Sequence, residues 1–417
     1  MSKGFREVDA YQARITRDGM RNDLVQNYTE SDHSAPYWLD VLTEAEQGSS
    51  DFVGDDTERV FPFVCDHFDP KDQPSYQLYR CHRDVVSSDM ISQTSVDKLQ
   101  RELVEQIRGQ LNSQYRINVS SEQILLTQGR EQALTLLADE LVSESSVVAL
   151  ENPGRAVYQT VFQQSKAQVQ WVDVDQDGLT IGDALNGSNI VCVTPSSHYP
   201  TSVTMSLNRR QALLEQASEQ GFYIIEDMCE TDTHFLDQAL PLLHRLDAHD
   251  RVISVGCLSS STAPQLDVGY ILAPKEMIAR LSDRQPTTDC NALSMAITTQ
   301  FLALGYYDNH IRRVRHTMEQ KWLAMLSALE CHMPDYPYYA TPGSTCFLLT
   351  LPQTLDCHTL ITRAAMEGIV LQADNVRLNS ASGQPRVVLG FGAINIDDIE
   401  AGIMKLKPLI TTLCQPM

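Results

Sequence analysis

No run of eighteen apolar residues occurs in the chain, which excludes a hydrophobic membrane-spanning helix. No CxxC pair occurs either. The ten cysteines, at 65, 81, 192, 229, 257, 290, 331, 346, 357 and 414, never fall with histidines at zinc-ligand spacing, so no metal site is expected. Positive charge is scarce: 32 Lys and Arg stand against 54 Asp and Glu, a net charge of −22 at pH 7. Such a chain repels a phosphate backbone, and no nucleic-acid partner is expected. Lysine is the rarer of the two cations, eight among 417 residues, a shortage that bears on any chemistry requiring an amine. The opening stretch MSKGFREVDAYQARITRD lacks the apolar core of a signal peptide, so a cytoplasmic location is expected.

What is present is a regular alternation of strand and helix patterns. SVDKLQRELVEQIRGQL has helical spacing, with Ser95 and Asp97 as caps. QILLT (123–127) reads as a strand leading into the helix GREQALTLLADEL. SVVALE (146–151), QVQWVDV, NIVCVT (189–194), FYIIED (222–227), RVISVG (251–256) and VGYILA (268–273) read as further strands, with AVYQTVFQQS and SLNRRQALLEQASEQ as helices between them. Continuously apolar strands alternating with helices predict an α/β fold, a mostly parallel doubly wound sheet covered on both faces. The expected division is an acidic N-terminal segment at 1–60, a large α/β domain at 61–288, a long connecting helical stretch at 289–325 broken near Gly305, and a smaller C-terminal α+β domain at 326–417. Ligands of such sheets bind beyond the carboxyl ends of strands, so the loops after 127, 151, 194, 227 and 256 are the ones to read.

Those loops carry QILLTQGREQAL, ALENPGR, VTPSSHYPTSVTMSLNRRQALLEQA, YIIEDMCETD and VISVGCLSSSTAPQLDVGYILAP; FLALGYYDNHIRRVRHTMEQKWLAMLSAL and VVLGFGAINIDDIEAGIMKL follow. The series resembles the fold-type-I pyridoxal-phosphate aminotransferases, most closely the aminotransferase-like domain of the MocR branch of GntR regulators, over roughly residues 60 to 410. The resemblance implies a cofactor, a Schiff-base lysine and a homodimer. Laid without a gap on Gly256–Tyr270, the family lysine falls on Ser260, beside Ser259. The arginine that binds the cofactor phosphate falls on Asp267, and the tyrosine that meets the 3′-oxygen falls on Cys229. The ring that stacks on the pyridine falls on Arg155, and the substrate-carboxylate arginine falls on Val388, with Arg386 two residues away on the same strand face. Only Asp227, the partner of the pyridinium nitrogen, is retained.

Arg130 opens a helix where the resemblance implies a small residue beside the phosphate. A cation is unfavourable at a helix N-terminus, so a neutralising carboxylate is expected: Asp267 for Arg130, with Arg155 and Asp227 as a second pair. Fold is not function, and these substitutions imply an aminotransferase-like protein that has lost covalent cofactor chemistry and acts as a pseudoenzyme, binding a protein partner or a small anionic ligand. The alternatives are an enzyme holding pyridoxal or pyridoxamine phosphate non-covalently, with His198, Cys229 or Ser260 as catalytic candidates, and an ordinary aminotransferase, which lacks its lysine. Cys257 is a second candidate nucleophile without an evident activating partner. The MocR regulators carry a basic winged-helix domain ahead of this one; the first sixty residues here are acidic, and a DNA-binding role is not expected.

Overall fold

The computed structural model describes residues 59–65, 67–88, 94–229, 231–235, 240–258, 266–284, 290–371 and 385–414. The chain divides into Met1–Arg59 and Val60–Met417, and the description below concerns the second unit. Ser259 and Ser260, and nearly all of the expected N-terminal segment, lie outside the described residues.

Thirteen strands are described. The first is β1 (Phe61–Phe63). A central series follows: β2 (Ile124–Gln128), β3 (Val147–Asn152), β4 (Gln168–Asp175), β5 (Gly178–Leu179), β6 (Ile190–Val193), β7 (Tyr223–Asp227), β8 (Val252–Cys257) and β9 (Val268–Leu272). These eight form one sheet in the order β2-β9-β8-β7-β6-β3-β4-β5. The pairs β3–β4, β3–β6, β6–β7 and β7–β8 are parallel. Strand β9 runs antiparallel to both β8 and β2, and β5 antiparallel to β4. The expected mostly parallel sheet is observed.

Side chains alternate across a strand, and here both sides are covered. Val148, Leu150, Ile190, Cys192, Ile225, Ile253 and Val255 pack with residues of Gly129–Leu141, Ala156–Gln164 and Lys275–Arg284. Their immediate neighbours Ala149, Val191, Val193, Ile224 and Val252 pack instead with Leu213 and Ala217 of Leu207–Gln220 and with Leu243. This two-sided burial is why the strands read as unbroken apolar runs. A third cluster joins Val96–Tyr115 and Ala292–Ala303 to β2 and β9.

The long helical stretch breaks as expected. One helix ends at Ala303 and the next runs Tyr306–His332, with Gly305 between them at φ 68°, a left-handed conformation that suits glycine. Beyond it, β10 (Tyr338–Tyr339), β11 (Cys346–Thr350) and β13 (Arg386–Gly390) form an antiparallel three-stranded sheet. The remaining strand, β12 (Ile369–Leu371), pairs in parallel with β1. Phe61–Phe63, assigned by the expected boundaries to the large domain, thus pairs with the C-terminal portion. The helix Ser75–Ser87 also escapes the sequence reading; its pattern is blurred because Tyr76, Tyr79 and Val86 are exposed. Among the described residues no helix is long and apolar enough to cross a membrane.

Gly269 fixes how closely β9 approaches the helix that follows β2. A Cβ there would lie 2.6 Å from the backbone oxygen of Gly129 and 2.8 Å from Thr127 Oγ1. Gly269→Ala must displace that backbone, so it is expected to cost about 1–3 kcal/mol. Urea unfolding of the variant checks this; an unchanged midpoint would mean that the approach is not tight.

Candidate functional site

Strands β2, β3, β6, β7 and β8 share one direction, so their carboxyl ends share one edge of the sheet, and β9, running back, starts there. The topology thereby brings Arg130, Glu151, Arg155, Thr194, His198, Asp227, Cys229, Cys257 and Asp267 to the same edge, from loops that lie far apart in sequence.

Asp227, the last residue of β7, is buried and anchors the site. Its Oδ2 lies 3.2 Å from Arg130 Nε, with side-chain exposures of 19% for the arginine and 3% for the aspartate. The Tyr158 hydroxyl donates to the same Oδ2, and the Cys229 backbone N–H donates to Oδ1 at 2.8 Å. Tyr158 lies in the first turn of Ala156–Gln164. Burial, then the Asp227 charge, pushes its phenol well above the ordinary value, which keeps it a donor.

Asp267 has φ 45°. Its carboxylate packs on Gly129, leaving no room for a Cβ there, and accepts from the Gln128 side chain. Burial raises its pKa, the Gln128 bond opposes that, and nearby Glu131 adds to it. An anion at the start of Gly129–Leu141 suits the positive end of that helix. Arg130, Asp227 and Asp267 thus meet in a cup at this edge of the sheet, but with partners other than those expected. Arg130 pairs with Asp227 rather than Asp267. Asp267 is turned by its left-handed backbone onto Gly129, and Arg130, one residue further, points about 100° around the helix. Arg155 is not the ion-pair partner of Asp227 in the expected second pair; its guanidinium lies over the Tyr199 ring, 4.5 Å from the centroid.

Behind the cup, Glu151 is the penultimate residue of β3. Its carboxylate accepts from Thr194 Oγ1 at 2.7 Å and from Thr194 N–H at 3.1 and 3.2 Å. Burial lifts its pKa to about 7, against the Thr194 bonds, and the Asp227 charge adds to the rise. His198 Nε2 lies 3.6 Å from Glu151 Oε2, beyond hydrogen-bond range, and Nδ1 lies 2.6 Å from Thr201 Oγ1. Burial pushes the imidazole down to about 3. At neutral pH His198 is an uncharged ring inside the wall, and it is not among the residues that line the opening.

The remaining opening is bordered by Arg155, Thr194, Ser196, Ser197, Asp227, Cys229, Thr231 and His234 and has a volume of about 10 Å³, close to that of one water molecule. Burial raises the Cys229 thiol well above its ordinary pKa, so it is protonated and a weak nucleophile. Val388 is buried with Cys65, Tyr199, Cys346 and Leu348 in an apolar cluster. The Arg386 guanidinium sits 5.8 Å from the centroid of the exposed Tyr339 ring and is not among the residues bordering this opening. No lysine lines the opening either. Lys166, Lys275 and Lys321 are committed to Glu144, Glu122 and Asp72, and Lys405 to the Glu367 backbone oxygen. Among the described residues no cluster could hold a metal ion. Sequence reasoning missed Tyr158 and the Glu151–Thr194 bond. The available signal was a charged residue at the end of an otherwise buried strand, which must find a partner.

The Arg130–Asp227 pair is expected to couple energetically. Arg130→Met and Asp227→Asn should each destabilise by about 3–5 kcal/mol, and the double variant by less than their sum, with a coupling of about 1–3 kcal/mol. Arg130→Met combined with Asp267→Asn should be additive within about 0.5 kcal/mol. Denaturant melts of the two cycles decide; coupling in the second cycle and none in the first would overturn the assignment.

Glu151 and His198 have opposite linkage. The folded pKa of Glu151, about 7, lies above its ordinary 4.5, so its contribution is present below 4.5 and lost as pH rises through 7. The folded pKa of His198, about 3, lies below its ordinary 6.5, so its contribution is present above 6.5 and lost as pH falls through 3. Between 4.5 and 6.5 the two nearly cancel. Relative to wild type, Glu151→Gln should gain stability as pH rises from 4.5 to 7, and His198→Gln as pH falls from 6.5 to 3, each by about 1.4 kcal/mol per pH unit. Chemical denaturation across pH 4 to 8 measures both; parallel curves for all three proteins would refute the opposed titrations.

No protein-family model matches the chain. It is similar to the HTH-type transcriptional regulator TauR of Rhodobacter capsulatus, 28% identical over 407 residues, which are 95% of this chain and 81% of that protein. It is also 28% identical over 308 residues to the HTH-type transcriptional regulator YdfD of Bacillus subtilis, matching 71% of this chain but 63% of that protein, so it spans less than two thirds of that relative. Among solved structures, an archaeal alanine:glyoxylate aminotransferase superposes with a TM-score of 0.80 at 26% identity, covering 91% of this chain and 96% of that one. The relatives include aminotransferases and a MocR regulator. Homologues and structural neighbours together place this chain's architecture: it has the fold of the fold-type-I, pyridoxal-phosphate-dependent aminotransferases.

Proposed function

We infer that this chain is an aminotransferase-like pseudoenzyme, a homodimeric cytoplasmic binding protein whose cofactor cup is filled by its own side chains. The observation that carries this reading is the Arg130–Asp227 ion pair. In the resemblance Asp227 is the carboxylate that holds a pyridinium cation, and here a guanidinium of the same charge already meets it. Asp267 adds a second argument, because its carboxylate occupies the helix start where the resemblance implies the cofactor phosphate. A phosphate brought there would meet an anion. The residues present therefore do not fit pyridoxal phosphate, and no reaction step is assigned through it. Ser260 at the lysine position, outside the described residues, agrees with this reading. So does the commitment of Lys166, Lys275, Lys321 and Lys405 to partners away from the opening.

A second reading, an enzyme of altered chemistry on a non-covalent anionic ligand, draws support from Glu151 and His198. A carboxyl group titrating at about 7 beside a neutral imidazole could move a proton, and Thr194 at the opening connects to Glu151. The first reading is preferred because His198 does not line the opening.

Incubation with pyridoxal phosphate, borohydride reduction and peptide mapping tests the inference. No stoichiometric pyridoxyl-lysine is expected, and a single modified lysine near the cup would contradict the reading. Light scattering at micromolar concentration is expected to give a dimer with or without added cofactor. A stable monomer would remove the homodimer from the proposal.

A further inference from the structure

Cys229 and Cys257 stand at the ends of neighbouring parallel strands. The ladder pairs Asp227 with Val255, and the Met228 N–H donates to the Val255 oxygen at 2.8 Å. Carried two residues further, this register sets Cys229 opposite Cys257. Neighbouring strands lie about 4.8 Å apart, inside the span of about 4.4–6.8 Å that a disulfide bridges between Cα atoms. Cys257 is the last residue of β8 and Cys229 lies in the turn two residues beyond β7, and the two thiols are close enough for Cys257 to perturb the titration of Cys229. Neither cysteine is in a disulfide, both are only partly buried, and Cys229 borders the opening.

We propose that Cys229 and Cys257 form a reversible disulfide across the floor of the cup, made by exchange with a small disulfide of the oxidised-glutathione class. One cysteine thiolate attacks the small disulfide, forming a mixed disulfide and releasing one small thiol. The second cysteine attacks the protein sulfur of that bond, closing the intramolecular disulfide and releasing the second small thiol. The two protein thiols give up two electrons and two protons, and the small disulfide takes them up as two thiols. Burial holds the Cys229 thiol protonated and slows its attack, and the nearby Arg130 charge opposes this only in part. The bond ties the end of β7, with Asp227, to the end of β8, and so holds the floor of the cup in one geometry. This goes beyond the pseudoenzyme reading and does not rest on it, since only the two thiols are needed.

The test is equilibration of the full chain in mixtures of oxidised and reduced glutathione, followed by an acid quench, alkylation, digestion without reductant and mass spectrometry. The expected result is a linked peptide pair joining Cys229 to Cys257, abolished by dithiothreitol, with slowed amide exchange in peptides covering 223–229 and 252–258. In Cys257→Ser, Cys229 should instead carry a glutathione adduct. The proposal is overturned if both cysteines remain alkylatable under mixtures that glutathionylate the exposed Cys331, or if Cys229 links to another cysteine. The wild-type digest decides even if the variant does not fold.

Discussion

Two charges at the mouth of the sheet, Arg130 and Asp227, cannot both be buried unless they meet. Either alone in the interior costs several kcal/mol, and together they lie 3.2 Å apart. The surroundings follow from that requirement. The carboxylate has a second oxygen and further lone pairs to satisfy, and Tyr158 and the Cys229 backbone supply donors. The arginine must leave the helix start for the strand end, which frees the start of Gly129–Leu141 for a different anion. Asp267 takes it, at the expense of a left-handed backbone. Both oxygens of the Asp227 carboxylate are thus met by groups of the chain itself.

On the proposed reading, the site keeps the electrostatic form of a cofactor pocket while the groups that supply its charges belong to the chain. A cation faces Asp227 and an anion lies on a helix N-terminus. Stability and ligand binding then compete for the same contacts, because a ligand can enter only by displacing side chains whose charges would otherwise be unpaired. Glu151 and His198 extend the theme one layer deeper. Burial prevents both from charging, so between them they hold one proton across mildly acidic pH.

The sheet was legible in the sequence because its central strands, such as Ile190–Val193 and Val252–Cys257, are nearly continuous apolar runs, and helices such as Val96–Tyr115 and Leu207–Gln220 begin at a serine cap. Residues such as Val148 and Ala149, buried on opposite faces, leave that signature directly. The candidate site was legible by residue type, since Arg130, Arg155, Asp227 and Asp267 all reach the cup edge. Their pairing was not legible, because it depends on the φ of Asp267 and on a turn of about 100° between Gly129 and Arg130, neither of which a register of motifs records. Tyr158 was missed for a related reason: a tyrosine in an amphipathic helix reads as core, and only the fold shows its hydroxyl reaching Asp227. The pairing of Phe61–Phe63 with Ile369–Leu371 joins segments about three hundred residues apart, and nothing local marks either as the partner of the other.

The central claim is that the chain's own arginine holds the seat that a pyridinium would take. Calorimetric titration of pyridoxamine phosphate into the wild-type protein and into Arg130→Ala tests it most directly, because no covalent bond is involved. The account predicts no saturable binding by the wild type at micromolar ligand and affinity at least about tenfold higher in the variant, a difference of about 1.4 kcal/mol. Tight one-to-one binding by the wild type, unchanged when Arg130 is removed, would contradict it.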